Sequence, residues 1–128
     1  MSDIPSHLRF AKSHEWLEDN GDGSVTIGIS AHAQELLGDV VFVDIPELGS
    51  AVEAGEPFSL VESVKAASDV YSPISGKIIA INSLLEDAPE TINDDPFGAG
   101  WIVKVQVSDH AAIAELLDAK AYAELIAD

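Results

Sequence analysis

The chain contains no cysteine, one methionine and few basic residues: six Lys and Arg stand against 23 Asp and Glu, a formal charge of −17 over 128 residues. Without cysteine there is no disulfide, no thiolate metal site and no cysteine nucleophile. Any sulfur redox chemistry must therefore come from a cofactor. The acidic excess repels phosphate backbones, which excludes nucleic acid as a partner. It favours solubility and steering toward basic partner surfaces. No apolar run approaches the roughly 18 residues of a membrane span, so no membrane association is expected. The four histidines, His7, His14, His32 and His110, have no metal-like spacing, so no metal site is expected. Neither a Gly-rich phosphate loop nor a nucleophile elbow around Ser59 or Ser63 is found, so no catalytic residue is assigned.

The segment Met1 to His7 lacks the basic and apolar regions of a signal peptide and the Arg/Ser richness of a transit peptide. A bacterial cytoplasmic protein is the expectation, favoured by the initiator Met; a processed mitochondrial form is the other reading.

Apolar residues make up 47% of the chain, enough for a core, and the length favours a single domain over 1–128. Ser24 to Ile29 alternates polar and apolar as a half-buried strand does. Ser30 reads as an N-cap, Ala31 to Leu37 as a short helix, and Gly38 as its stop. Val40 to Ile45 reads as a buried strand ended by Pro46, followed by a short strand at Ala51-Val52. Further strands are expected at Phe58 to Val64, Asp69 to Tyr71, Lys77 to Ile81 and Trp101 to Val107. A helical turn is expected near Glu90 to Asn93. Ser108 or Asp109 should cap a helix with Ile113, Leu116 and Leu117 as its stripe, followed by a second helical stretch carrying Tyr122, Leu125 and Ile126. Many short strands with Gly/Pro turns imply a mainly β fold, a β-sandwich or flattened barrel with C-terminal helices on its flank.

Among five lysines, Lys65 is set apart. It falls between two strand-like halves and is followed by the small residues Ala66, Ala67 and Ser68, so a hairpin tip would present its amine with little bulk around it. That suits a post-translational acceptor. Position alone does not separate it from an ordinary turn lysine, but its surroundings do. Leu60-Val61-Glu62-Ser63-Val64-Lys65-Ala66-Ala67-Ser68-Asp69-Val70-Tyr71-Ser72-Pro73-Ile74-Ser75-Gly76 closely resembles the lipoyl attachment segment of the glycine cleavage system H-protein family. Lys12-Ser13-His14-Glu15-Trp16, Gly28-Ile29-Ser30 with Ala33-Gln34-Glu35, Leu37 to Val43, and Ile92 to Trp101 resemble further segments of that family in the same order. Biotin carriers look like Met-Lys-Met at the tip, and acyltransferase lipoyl domains like Thr-Asp-Lys-Ala. Val64-Lys65-Ala66 matches neither.

The resemblance implies a lipoyl/biotinyl-type hammerhead fold and lipoic acid in amide linkage on Lys65. It also implies a monomeric, non-catalytic carrier. In the family a pyridoxal-phosphate glycine decarboxylase loads an aminomethyl group onto the lipoyl sulfur. A tetrahydrofolate-dependent aminomethyltransferase unloads it, dihydrolipoyl dehydrogenase reoxidises the dithiol, and lipoate-attaching enzymes install the group. The hard chemistry belongs to cofactors, and the carrier supplies position. Other readings are an H-like relay passing lipoate to other acceptors and an unmodified hammerhead binding module. An arm cleft is expected from Glu15, His32, Ser68 and Asp69, with His14 and Glu15 also readable as structural and His32 as a plain surface residue. Glu62, Val64 and Ala66 are expected to mark the tip for recognition. Glu62 and Asp69, flanking Lys65, are equally readable as solvated strand-edge charges.

Overall fold

The computed structural model describes residues 7–126; Met1 to Ser6, which carry most of the expected leaderless N-terminus, lie outside the described residues. In chain order the strands are β1 Arg9–Phe10, β2 Glu15–Asp19, β3 Ser24–Ile29, β4 Val40–Asp44, β5 Ala51–Val52, β6 Pro57–Ser63, β7 Ala67–Tyr71, β8 Gly76–Ile81, β9 Val103–Val107 and β10 Leu117–Asp118. The helices are α1 Ala31–Leu37, α2 Leu84–Asp87, α3 Thr91–Asp94 and α4 Ala119–Ile126, with a 3₁₀ helix at His110–Glu115. A seven-stranded sheet runs β10-β1-β2-β3-β9-β8-β5 and a three-stranded sheet runs β4-β6-β7. Every pairing is antiparallel. The expected mainly β architecture with short helices is observed, as two sheets rather than one closed barrel. No described helix is long and apolar enough to cross a membrane.

The main core joins both sheets: Ile27 of β3, Val61 of β6, Ile78 of β8 and Val103 of β9 meet Leu85 and Ile92 of the short helices. A second, aromatic cluster of Leu8, Phe10, Trp16 and Tyr122 fastens α4 to the outer strands of the larger sheet. There the Tyr122 ring stacks on Phe10 at 4.3 Å and 4°. Trp16 lies over Gly28, its β3 partner, and its indole N–H donates to the Pro96 carbonyl at 2.8 Å. A Cβ at Gly28 would come within 2.7 Å of the indole ring. Gly28→Ala is therefore expected to cost about 2 kcal/mol through overpacking, read as a lower denaturation midpoint at unchanged slope.

Three of the expected elements take a different form, and β1, β2 and α2 are additional to those expected. β3 is buried along its whole length rather than half-buried, because Ser24 and Thr26 are covered as well as the apolar residues. Their hydroxyls bond with Asn20. β4 is not the buried strand expected. A bulge between Val40 and Phe42 shifts the register, leaving Val41 and Phe42 54% and 51% exposed. The helix after Asp109 is 3₁₀ and ends at Glu115, so Ile113, Leu116 and Leu117 do not share one stripe. Leu117 instead pairs with Phe10 in β10.

Candidate functional site: a lysine tip and an adjoining cleft

The β6–β7 hairpin carries Lys65 at its tip, with Val64, Lys65 and Ala66 all exposed. Its backbone is held from two sides. Within the turn, Ser63 Oγ accepts from the amides of Lys65 at 3.2 Å and Ala66 at 3.1 Å. From outside, the Val64 amide donates to the Asp39 carbonyl at 3.0 Å. Asp39 is in turn held in place by its neighbours, because Asn93 of α3 donates to the Gly38 carbonyl and accepts from the Val40 amide. Gly38 stops α1 with φ at 82°, and the Lys65 stem lies across it. A Cβ there would stand 3.2 Å from Lys65 Cε. No carboxylate of the described residues pairs with the Lys65 amine. The tip is thus a rigid pedestal under a free amine. The remaining lysines differ: Lys12 is exposed in the short β1–β2 turn beside His14, Lys77 and Lys120 are exposed on β8 and α4, and Lys104 is partly buried, 5.4 Å over the Trp101 ring.

Below the tip a cleft of about 140 Å³ opens between the hairpin, α1 and the start of β2. The hairpin contributes Val61, Ser68, Asp69 and Val70; α1 contributes Ala33, Leu36 and Leu37; Ser13, His14 and Glu15 close it. α1 is set by Ser30, whose side chain caps it by accepting from the Ala33 amide at 3.2 Å. Glu15 is only 2% exposed. One carboxylate oxygen accepts from Ser13 Oγ and the other from the Tyr71 amide at 3.0 Å. Burial outweighs these bonds and pushes its pKa above the ordinary carboxylate value. The cleft therefore combines an apolar wall with two acidic side chains, the buried Glu15 and the nearby Asp69, both acceptors toward a small cation.

A family model for the glycine cleavage H-protein matches residues 8–128. The chain belongs to the glycine cleavage H-protein family. A glycine cleavage system H protein of Chromohalobacter salexigens is 60% identical over 126 residues, 98% of this chain and 96% of that protein. One from Vibrio atlanticus is 66% identical over 115 residues, 90% of this chain and 91% of the relative. The crystal structure of a glycine cleavage system H protein from Mycobacterium marinum superposes with a TM-score of 0.87 at 44% identity, covering 94% of this chain and 97% of that one.

In this H-protein family member the structure brings Glu15, Ser68 and Asp69 into one cleft. His32 is not among its walls. It lines an adjoining groove of about 320 Å³ with Lys12, His14, Leu125 and Ile126. Adjacent residues of α1 point about 100° apart, so Ala33 and Leu37, one turn apart, face the cleft while His32 faces the groove. Glu62 and Asp69 do not oppose one another across the hairpin: Glu62 pairs with Ala67 and Asp69 with Leu60. Sequence reasoning missed Ser13 and His14 as cleft residues, and Asn93 as the clip beneath the tip. Among the described residues no group of three or more His, Asp or Glu is placed to hold a metal ion.

Proposed function

We propose that residues 1–128 act as a single lipoyl-carrier domain of the glycine cleavage system, in the bacterial cytoplasm, with the group in amide linkage on Lys65. Family membership and bacterial relatives support the system and the setting. The observation that carries the site is the pinned hairpin tip, which holds one exposed, unpaired amine above a glycine. When bound, the dithiolane supplies the disulfide that accepts an aminomethyl group and is reduced as it does so.

This chain contributes position and shelter. Ser63 and Asp39 fix the tip backbone, so the amine is offered to the lipoate-attaching enzymes in one orientation. Val64, Ala66 and Glu62 form the surface those enzymes meet, and Val64 is 68% exposed. Ser68 and Asp69, on β7, follow Lys65 by three and four residues, at most about 10–13 Å of extended chain, within reach of an arm extended by a long acyl chain. Glu15 and Asp69 then receive the cationic amine of the cargo, and the apolar residues of α1 exclude water that would release it. The chain supplies no nucleophile or general base; the chemistry belongs to glycine decarboxylase, the aminomethyltransferase and dihydrolipoyl dehydrogenase.

Reconstitution of glycine-dependent CO₂ release with these three enzymes tests the reading. Release should require the lipoylated chain, and release that proceeds equally without it would reject the carrier role. With −17 formal charge, association with glycine decarboxylase should also be steered over a Debye length of about 10 Å at 0.1 M salt. Its on-rate should fall about tenfold or more from low to high ionic strength. A flat on-rate in stopped-flow measurements would remove steering from the account.

A further inference from the structure

One side chain of the C-terminal helix reaches His14, a residue of the cleft wall. Tyr122 Oη lies 2.7 Å from Ser30 Oγ and 2.8 Å from His14 Nδ1. Its ring is fully buried against Phe10. We propose that Tyr122 is a positioning residue for the cleft: it relays the Ser30 hydroxyl to His14 Nδ1 and so fixes His14 as an imidazole carrying its single hydrogen on Nε2.

The direction of the relay follows from counting hydrogens. Ser30 is 1% exposed, so its hydroxyl hydrogen needs an acceptor inside the protein. Its oxygen already accepts the Ala33 amide, and the one acceptor the structure places against its hydrogen is Tyr122 Oη. A tyrosine hydroxyl has one hydrogen to give. With Ser30 donating to Oη, that hydrogen goes to His14 Nδ1, which must then be bare. The opposite direction, Nδ1–H to Oη and Oη–H to Ser30, leaves the buried Ser30 hydrogen without an acceptor. An imidazolium carries hydrogen on both nitrogens and would leave either the Ser30 hydrogen or the Tyr122 hydrogen without an acceptor.

The surroundings of His14 work the same way. Its backbone is held at φ 79°, its amide donating to the Ala11 carbonyl and its carbonyl accepting the Ser30 amide. His32 of α1 lies 4.9 Å away between ring centroids, and Lys12 lines the same groove. Glu15 and Asp69 share the cleft wall with His14, and these carboxylates oppose the effect of the basic neighbours. Burial, then His32, nonetheless hold the His14 pKa below the ordinary imidazole value. Resting on the cleft reading above, the consequence is specificity: a neutral His14 admits a cationic amine beside Glu15, whereas an imidazolium would repel it.

The test is the ¹⁵N imidazole spectrum of the unlipoylated, full-length protein, which needs neither arm nor cargo and so stands or falls separately from the carrier reading. At pH 7 wild type should show His14 as a single tautomer, with Nδ1 bare and Nε2 protonated. Tyr122→Phe keeps the ring and removes both hydrogen bonds. It should give a mixture of tautomers and an upward shift of the His14 titration. A protonated Nδ1 in wild type at pH 7 would overturn the proposal whether or not the variant folds. An unchanged spectrum and titration in a folded Tyr122→Phe would overturn it as well.

Discussion

Replacing Lys65 with alanine is expected to abolish lipoylation and reduce glycine-dependent turnover to background, while unfolding free energy changes by no more than about 0.5 kcal/mol. The side chain is exposed and pairs with no carboxylate of the described residues, so its loss leaves no buried group unsatisfied. The hydrogen bonds that shape the tip come from Ser63, Val64 and the backbone, which the substitution does not touch. Lys65→Arg should fail as completely, because a guanidinium keeps its proton and does not form the amide. Lipoate retained on a Lys65→Ala chain would move the attachment site elsewhere. A large loss of stability would instead give the lysine a structural role that its position does not suggest.

The second large effect is expected at Glu15, where one substitution should separate stability from function. In Glu15→Gln the side-chain carbonyl still accepts the Tyr71 amide, and the amide end faces a Ser13 hydroxyl able to reverse its role. The fold should survive. The charge should be missed only by the cargo. A hydrogen bond to a charged group is worth about 1.5–3 kcal/mol. The loaded arm should then decay roughly tenfold to a hundredfold faster, at about 1.4 kcal/mol per decade. Equal decay in folded, fully lipoylated proteins would remove Glu15 from the cleft's chemistry. Stability offers an independent reading. The folded-state pKa of Glu15 is raised by burial above the ordinary carboxylate value, so the native state binds the extra proton in the window between the unfolded and folded values. Wild-type stability contributed by this group is present below that window and is lost as pH rises through it. The Gln variant should lack that slope and match or exceed wild type at neutral pH.

Local signals in the sequence translated well where one residue decides one backbone event. Ser30 caps α1 and Gly38 ends it because a hydroxyl acceptor and a positive φ are requirements of those two positions alone. The β6–β7 hairpin and its lysine were legible for the same reason. What failed depended on register or on residues distant in the chain. A run such as Val40 to Ile45 looks continuous, yet the bulge at Val40/Phe42 turns Val41 and Phe42 outward. Leu117 fits a helical stripe by spacing, but its pairing with Phe10, more than a hundred positions away, makes it a strand. His32 and Ala33 are adjacent on α1 and end up in different cavities, a distinction set by the rotation of a short helix against the hairpin. His14 and Asn93 stood within recognised segments, but their roles need partners 108 and 55 positions away, Tyr122 and Gly38.

The central claim is that Lys65 is the attachment point, and the mass of the proteolytic peptide containing it is the most direct measurement. Protein made in a lipoate-competent host should carry one lipoyl group on that peptide and none on those containing Lys12, Lys77, Lys104 or Lys120. An unmodified Lys65 peptide from such a host, or lipoyl mass on any of the other four lysines, would contradict the account.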